Sequence, residues 1–565
     1  MKTRSMCSKH HFTMKTHSKC SRHYFGMKTR SMTSYYHFPP EIWEHIVSFV
    51  NSKACLKSLS LVSKTLYYIV CKKMWASADL KNPEALITLR HLPIADLNLE
   101  DCGLRNKHLS VVSKMTEIKN LNIISNRNLT TTGLRKLASL RKLQKLNLAG
   151  IKNVTDDVIR CLASTALTEL LLYSCAITDD CLEAICSITS LQVLNLCSNH
   201  KLTASALCKL SSLKKLKSLN LRECVEGVTA YVIENFANLN LVDLNISSCH
   251  IDDVCLTGIS KISSLKWLNI SDSHGTMTSV GLSTLGSLTN LKGLDISNCE
   301  NVTPVIHAIN SFANCDQSSL KNLDISWCDI EDDAIASIVR IANLEKLGIA
   351  GNHRLTPANV GKLSSLKKLK NLDISQSKSI TTDVLQRFTE LSLEHLYICE
   401  CGMNDDCLAS ICKMTSLQSL DISKNAQLTY TGLNCLSNLA KLERLSMSGC
   451  KCLIPDTINT VAHIPLTLLD ISFCDIDDNC LRAVSKLNSL ETLVINNNSR
   501  VTQEGLSSIG HIPNIYNDDS SCDGDMEEEG SDVEDGMDDD DVIRCLASTA
   551  TQLSLSGDYS YIVVL

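Results

Sequence analysis

Aromatic residues make up only 4% of this 565-residue chain, while hydrophobic residues make up 44%. A core drawn from that inventory is large and aliphatic. Long apolar runs are missing as well, since no stretch approaches the roughly 18 consecutive apolar residues of a membrane helix. The opening residues MKTRSMCSKHHF are basic, but no apolar segment follows them, so they do not read as a secretory signal. No membrane association is expected, and the expected compartment is the cytosol, the nucleus or both. Enzyme signatures are also lacking: there is no H-E-x-x-H, no G-x-S-x-G, no P-loop and no dinucleotide fingerprint. No catalytic residue and no cofactor is therefore assigned.

Charge of one sign is absent from each end of the chain. Residues 1–40 hold eight Lys/Arg and no acid, and residues 513–541 hold fourteen Asp/Glu and no base. With a net charge of −6, the body between them is neutral. It lacks the basic stripe that nucleic-acid binding needs, so no nucleic-acid partner is expected. Cysteine, by contrast, is plentiful: 28 residues spread along the chain. That distribution fits small buried thiols in a reducing compartment better than a disulfide framework.

A repeat fills most of the chain. From Leu97 onward the pattern L-x-x-L-x-L/I-x-x-C/N recurs, as in LTELLLYSC (167–175), LKNLDISWC (320–328) and LETLVINNN (490–498). Its fourth-position leucines run from Leu97, Leu121 and Leu146 to Leu445, Leu469 and Leu493. They mark seventeen units, nearly all 24 to 26 residues apart, with one of 29. The L-x-L/I triplet has the period of a short strand with one face inward. The second half of each unit, for example TDDCLEAICSI (178–188), has helical spacing with acids at its favourable start. Such a unit cannot bury its apolar side alone, but stacked units share one core. The expected fold is an α/β leucine-rich-repeat solenoid, a horseshoe with short parallel strands on its concave side and helices outside.

The last position of the strand pattern is Cys nine times and Asn five times. Asn is expected to hydrogen-bond backbone groups where the chain leaves the strand, with Cys filling the same slot more weakly. A longer period overlies the first. The form CAITDDCL (175–182) returns as CHIDDVCL (249–256), CDIEDDAI (328–335), CGMNDDCL (401–408) and CDIDDNCL (474–481). It occurs at every third repeat, which reads as duplication of a three-repeat block.

Ahead of the repeats stands FPPEIWEHIVSFVNSKACLKSLSLVSKTLYYIVCKKMW (38–75), with apolar residues spaced for three short helices. Phe38-Pro39-Pro40-Glu41-Ile42 and, further on, Leu59-Ser60-Leu61-Val62-Ser63-Lys64 resemble the L-P-x-E-I opening and L-S-L-V-S-K centre of an F-box. Phe38 and Trp43 stand where leucines are usual. The repeats resemble the cysteine-containing subtype found in F-box/leucine-rich-repeat proteins. The two resemblances together span residues 38–512. They imply the substrate receptor of a Skp-cullin-F-box (SCF) ubiquitin ligase, with a Skp-type adaptor, and through it a cullin, as partners. The implied adaptor contacts are Phe38, Pro39, Glu41, Ile42, Ile46, Leu59, Val62 and Lys64. A repeat scaffold without a ubiquitin role, or a pathogen effector borrowing a host's ubiquitin machinery, would carry the same motifs.

A protein target is expected on the concave face, where most outward side chains are small or polar. The larger ones, Tyr173, Arg222, Trp267, His395, Tyr397 and Arg444, with Trp327 and Phe473 at strand exits, are the candidate target contacts, because aromatics and Arg dominate interface hot spots. Residues 1–37 are a basic tandem repeat of thirteen residues. Two copies contain C-x-x-H (Cys7/His10 and Cys20/His23), but without a packed core around them no metal is assigned. The acidic segment 513–541 reads as a disordered insert. The eleven residues DDVIRCLASTA at 156–166 recur unchanged at 540–550, so 542–565 reads as a degenerate last repeat.

Overall fold

A computed structural model describes residues 77–517, apart from 274, 300–304 and 316–317, together with Leu66, Val70 and Lys73. The chain divides into two units, Met1–Trp75 and Ala76–Leu565. In the first, Leu66 and Val70 are helical and buried.

The second unit is a solenoid. Nineteen three-residue strands, from Ser77–Asp79 to Asn514–Tyr516, form one parallel sheet among the described residues. Every marker leucine occupies the centre of its strand, and each faces the next in register: Leu97 opposite Leu121, Leu121 opposite Leu146, and so on to Leu469 opposite Leu493. None is more than 2% exposed. With a side-chain period of two, this register sends the residues on either side of the leucine to the opposite face. The two outermost strands lack the leucine, having Ala78 and Ile515 at their centres. The sequence pattern therefore did not signal Ser77–Asp79, and the strand Asn514–Tyr516 closes the sheet where the disordered insert 513–541 was expected to begin. The second copy of DDVIRCLASTA lies outside the described residues; the first forms the helix Asp156–Leu162, with Val158 and Leu162 in the core.

Leaving the strand requires a sharp turn, and the same backbone solution recurs. In all seventeen leucine-bearing coils the residue four beyond the marker leucine is left-handed. Gly150, Gly351 and Gly449 fill it without strain; the other fourteen, Ser174, Trp327 and Phe473 among them, are not glycine. A left-handed residue with a Cβ costs about 1–2 kcal/mol, so neighbours must hold it. They do so through the backbone: Ser174 N–H donates to Cys197 O at 3.0 Å, Trp327 N–H to Ala350 O at 2.8 Å and Phe473 N–H to Asn496 O at 3.0 Å. Each turn is locked by the coil that follows it.

One residue further on stands the Asn or Cys. Asn425 is 1% exposed. Its Nδ2 donates to the carbonyls of Ile398, Ile422 and Ser423 at 3.0, 2.9 and 3.2 Å. Its Oδ1 accepts from Cys401 N–H and Met403 N–H at 3.1 and 3.0 Å. Asn126, Asn199, Asn352 and Asn498 are bonded in the same manner. Cysteine has one proton to share among those carbonyls: Cys450 Sγ donates to Ile422 O at 3.5 Å, and Cys474 Sγ lies 3.1 Å from Met447 O and 3.2 Å from Ser472 O. Burial pushes the Cys450 thiol up to about 12, which keeps the donated proton in place. Side chains thus satisfy backbone groups that would otherwise be stranded in the core.

The three-coil period also has a physical basis. Thr203 N–H and Oγ1 donate to the two carboxylate oxygens of Asp179 at 3.0 and 2.7 Å, joining the starts of two consecutive helices. Asp332 holds Thr356 in this manner, Asp405 holds Thr429 and Asp478 holds Thr502; Asp253 takes Thr278, and Asn106 plays the part toward Thr130. Gly432 and Gly505 face these carboxylates where a Cβ would collide with them. Five of these six seams are also the ones fastened by the asparagines; at Asp253–Thr278, Ser273 takes that place and bonds only Ile270 O.

Asn425→Ala should lower unfolding free energy by about 3–5 kcal/mol, since five buried backbone groups lose their partner. Cys450→Ala, losing one thiol donor, should cost about 1 kcal/mol. Chemical denaturation of the two variants measures the difference, and equal losses would refute this ranking.

Candidate functional site

The sheet's outer face carries three rows of side chains, placed one before, one after and three after each marker leucine. Along the row after the leucine the residue type changes midway. Asn195, Asn220, Asn245 and Asn269 occupy it first; Asp295, Asp324, Asp373, Asp421 and Asp470 take over. Each aspartate accepts an amide hydrogen two residues on: Ser375 N–H reaches Asp373 Oδ1 at 2.9 Å and Ser423 N–H reaches Asp421 Oδ1 at 2.9 Å. Burial pushes the Asp373 carboxyl up to about 7 despite those bonds, with Asp324 and Asp421 adding to the rise. Asp295 is likewise raised to about 7 by burial and by Asp324 on the adjoining strand.

The row before the leucine carries basic residues on alternate strands in the same region, Lys346, His395 and Arg444, with Asn371 and Ser419 between them. None of the three makes a hydrogen bond or ion pair through its side chain with another described residue. Elsewhere on the row Lys145 pairs with Glu169 at 2.8 Å. Burial holds Lys346 down at about 8, and it also lowers His395. The two rows are staggered. Basic residues sit on the strands of Leu347, Leu396 and Leu445, and aspartates on those of Leu372, Leu420 and Leu469. Strands about 4.8 Å apart give each residue type a repeat of about 10 Å.

The candidates read from the sequence separate into groups. His395 and Tyr397 flank Leu396 on one strand, Arg444 stands two strands on, and Tyr397 lies in its row between the aspartates Asp373 and Asp421. Tyr173 and Arg222 stand two coils apart, and Arg222 Nε reaches Glu223 at 3.0 Å. The other three stand apart. The Trp267 indole lies across Gly293 of the next coil. Trp327, 39% exposed, covers Gly351 and meets the His353 ring edge-on at 6.1 Å between centroids. Phe473 is 41% exposed at its own strand exit. Lys346 was missed, although the positional rule that selected Arg444 would have found it. A hollow over the first five strands, from Ser77 to Leu171, contains none of the candidates.

Phe38, Pro39, Glu41, Ile42, Ile46, Leu59, Val62 and Lys64 lie outside the described residues, as do Cys7, His10, Cys20 and His23. Among the described residues no three His, Cys, Asp or Glu side chains converge as metal ligands, and no helix is long and apolar enough to cross a membrane.

Comparison with known families adds what the geometry alone does not supply. A leucine-rich repeat region model matches residues 244–514, Zer-1-like leucine-rich repeats match 134–205, and an F-box domain model matches 36–75. The chain is an F-box/leucine-rich-repeat protein. No curated protein matches it. Among solved structures, an internalin from Listeria monocytogenes is 18% identical with a TM-score of 0.41, covering 64% of this chain and 93% of its own. A leucine-rich-repeat protein from Leptospira interrogans is 20% identical with a TM-score of 0.33, covering 78% of this chain and 100% of its own. For this F-box/leucine-rich-repeat protein, both modules are of kinds that typically work by interaction.

The raised aspartates set a pH dependence. A carboxyl near 7 when folded and near 4 when unfolded binds more protons in the folded state, so its contribution to stability is full below about pH 4 and is lost as pH rises through about 7. Asp373→Asn should therefore unfold at a higher temperature than the parent at pH 8, by about 1–3 kcal/mol in stability, with the gap closing toward pH 4. A gap that widens on acidification would contradict the assignment. Thermal melts across that range measure it.

Proposed function

We propose that this protein is the substrate-recognition subunit of an SCF-type ubiquitin ligase. Its F-box would hold a Skp-type adaptor, and through it a cullin, while the strand face captures a protein target for ubiquitination and proteasomal degradation. The supporting observation is the pairing of an F-box match at 36–75 with a long repeat stack in one chain. On this reading the ubiquitin-transfer chemistry belongs to other subunits, and this chain acts in the cytosol or nucleus by positioning.

The candidate contacts divide accordingly. Pro39 and Ile42, with Phe38, Glu41, Ile46, Leu59, Val62 and Lys64, face the adaptor. His395, Tyr397, Arg444 and Lys346 form the centre of target capture, where an aromatic ring and basic side chains that make no ion pair among the described residues suit a protein surface. Tyr173, Arg222, Trp267, Trp327 and Phe473 extend it along the face. Complementary charges across an interface govern encounter and selectivity more than affinity.

Co-purification tests the reading. The full chain should carry a Skp-type adaptor through size-exclusion chromatography, and Pro39→Ala combined with Ile42→Ala should reduce the bound fraction at least tenfold while leaving the repeat unit folded. An intact chain that binds no adaptor would favour a repeat scaffold without a ubiquitin role.

A further inference from the structure

The last coil of the solenoid stands open. In the coil before it, Ile476, Leu481 and Leu493 are at most 1% exposed. The residues at the same positions one coil on, Val501, Leu506 and Ile515, are all partly open to solvent. Backbone groups are uncovered with them. Interior strands pass an amide and a carbonyl to the coil that follows: Ile495 N–H donates to Tyr516 O at 2.9 Å, and Thr467 O accepts from Glu491 N–H and Thr492 N–H, both at 2.9 Å. The corresponding groups of the last coil, Asn517 N–H and Pro513 O, have no partner among the described residues. Such an end needs a cover, because a bare strand edge and an unfinished core both invite pairing.

The sequence holds a segment of the right kind. DDVIRCLASTA at 156–166 is the helical half of a coil: it forms the helix Asp156–Leu162, buries Val158, Ile159 and Leu162, and runs on to the strand Glu169–Leu171. The identical residues at 540–550 run on to Thr551-Gln552-Leu553-Ser554-Leu555, which repeats the L-x-L of a strand. Asp156 stands ten residues after the marker Leu146, and Asp540 stands twenty-five after Ile515. The fifteen added residues fall within the acidic run, where a coil turns from strand to helix. Added chain disturbs a stack least at such a surface turn.

We propose that residues 540–555 dock on the open end of the solenoid. The first eleven form the helix of the coil whose strand is Asn514–Tyr516, and Gln552–Ser554 add a twentieth parallel strand. Leu553 then faces Ile515, Thr551 N–H and Gln552 N–H donate to Pro513 O, and Asn517 N–H donates to Ser554 O, continuing the register of the strands before it. Val542, Ile543 and Leu546 take the parts of Val158, Ile159 and Leu162 and cover Val501 and Leu506. A second copy of the chain is a poorer cover, since its free edge strand, Ser77–Asp79, has only Ala78 at its centre. Docking also holds the acidic run as a loop at the strand-exit edge, where Phe473 stands, so its carboxylates border the last strands of the face.

Hydrogen–deuterium exchange of the full chain, read by mass spectrometry, tests the docking. Peptides covering 513–517 and 542–555 should exchange at least tenfold more slowly than an unstructured chain. Leu553→Asp should speed exchange in both, while peptides from the coils of Leu121 to Leu396 keep the parent's rates and so report that the variant folds. Ser554→Asp, on the outward face, should leave both segments protected. Fast exchange of 542–555 in the parent, protection that survives Leu553→Asp, or equal effects of the two substitutions would each overturn the proposal. So would protection that falls on dilution together with a dimer in light scattering, since a second copy would then be the cover. Adaptor binding enters none of these measurements, so failure here and failure of the ligase reading are distinguishable.

Discussion

Everything in the solenoid depends on how the chain leaves each strand. A strand only three residues long is useful only if the backbone can turn out of it at once, inside a dry core, without stranding amides and carbonyls. The left-handed residue provides the turn, and the Asn or Cys after it occupies the groups the turn exposes. Neither is complete within a single coil: the left-handed residue's amide reaches a carbonyl of the next coil, as Trp327 N–H reaches Ala350 O, and the Asn or Cys reaches a carbonyl of the preceding one, as Asn425 reaches Ile398 O. Stacking is therefore a condition of each coil's own backbone conformation, as well as the means of burying its leucines.

That arrangement leaves the outer face free to vary. Inward leucines and exit residues carry the fold, so the flanking positions can change from neutral Asn to ionisable Asp without moving the backbone, because either side chain can accept the same amide two residues on. Two coils after the change, Lys346, His395 and Arg444, which form no ion pair among the described residues, begin to alternate along the neighbouring row. A half-buried lysine without a direct ion pair, and a carboxyl raised to about 7, are both costly in isolation. Their costs diminish when a partner of opposite charge covers them. On the proposed reading this is why target capture is assigned to that half of the face.

How much of this was legible depended on whether a rule was local. The leucine spine, the Asp-led helices and the F-box segment follow from spacing within one stretch of chain, and Leu97 to Leu493 all fell in place. Ser77–Asp79 escaped because an edge strand with Ala78 at its centre buries little and needs no leucine. The Asp405–Thr429 contact and the Trp327–Gly351 covering join residues about a coil apart in sequence. Only the stacking register makes them neighbours. The same limit applied to the candidate contacts: position named Tyr397 and Arg444, but not that they would share a surface with Lys346.

The doubly fastened seams give the solenoid a grain. Wherever an aspartate grips the next threonine and an asparagine bridges the same two coils, the joint is stronger than the two that follow it. A gene that lengthens by copying three coils at a time preserves the order of strong and weak joints, while copying one or two coils would set a weak joint where a strong one belongs. The recurrence of CDIEDDAI-like words is then the mark of a growth rule, with the tight seam as the smallest place at which the chain can be cut and rejoined without changing its pattern of fastening.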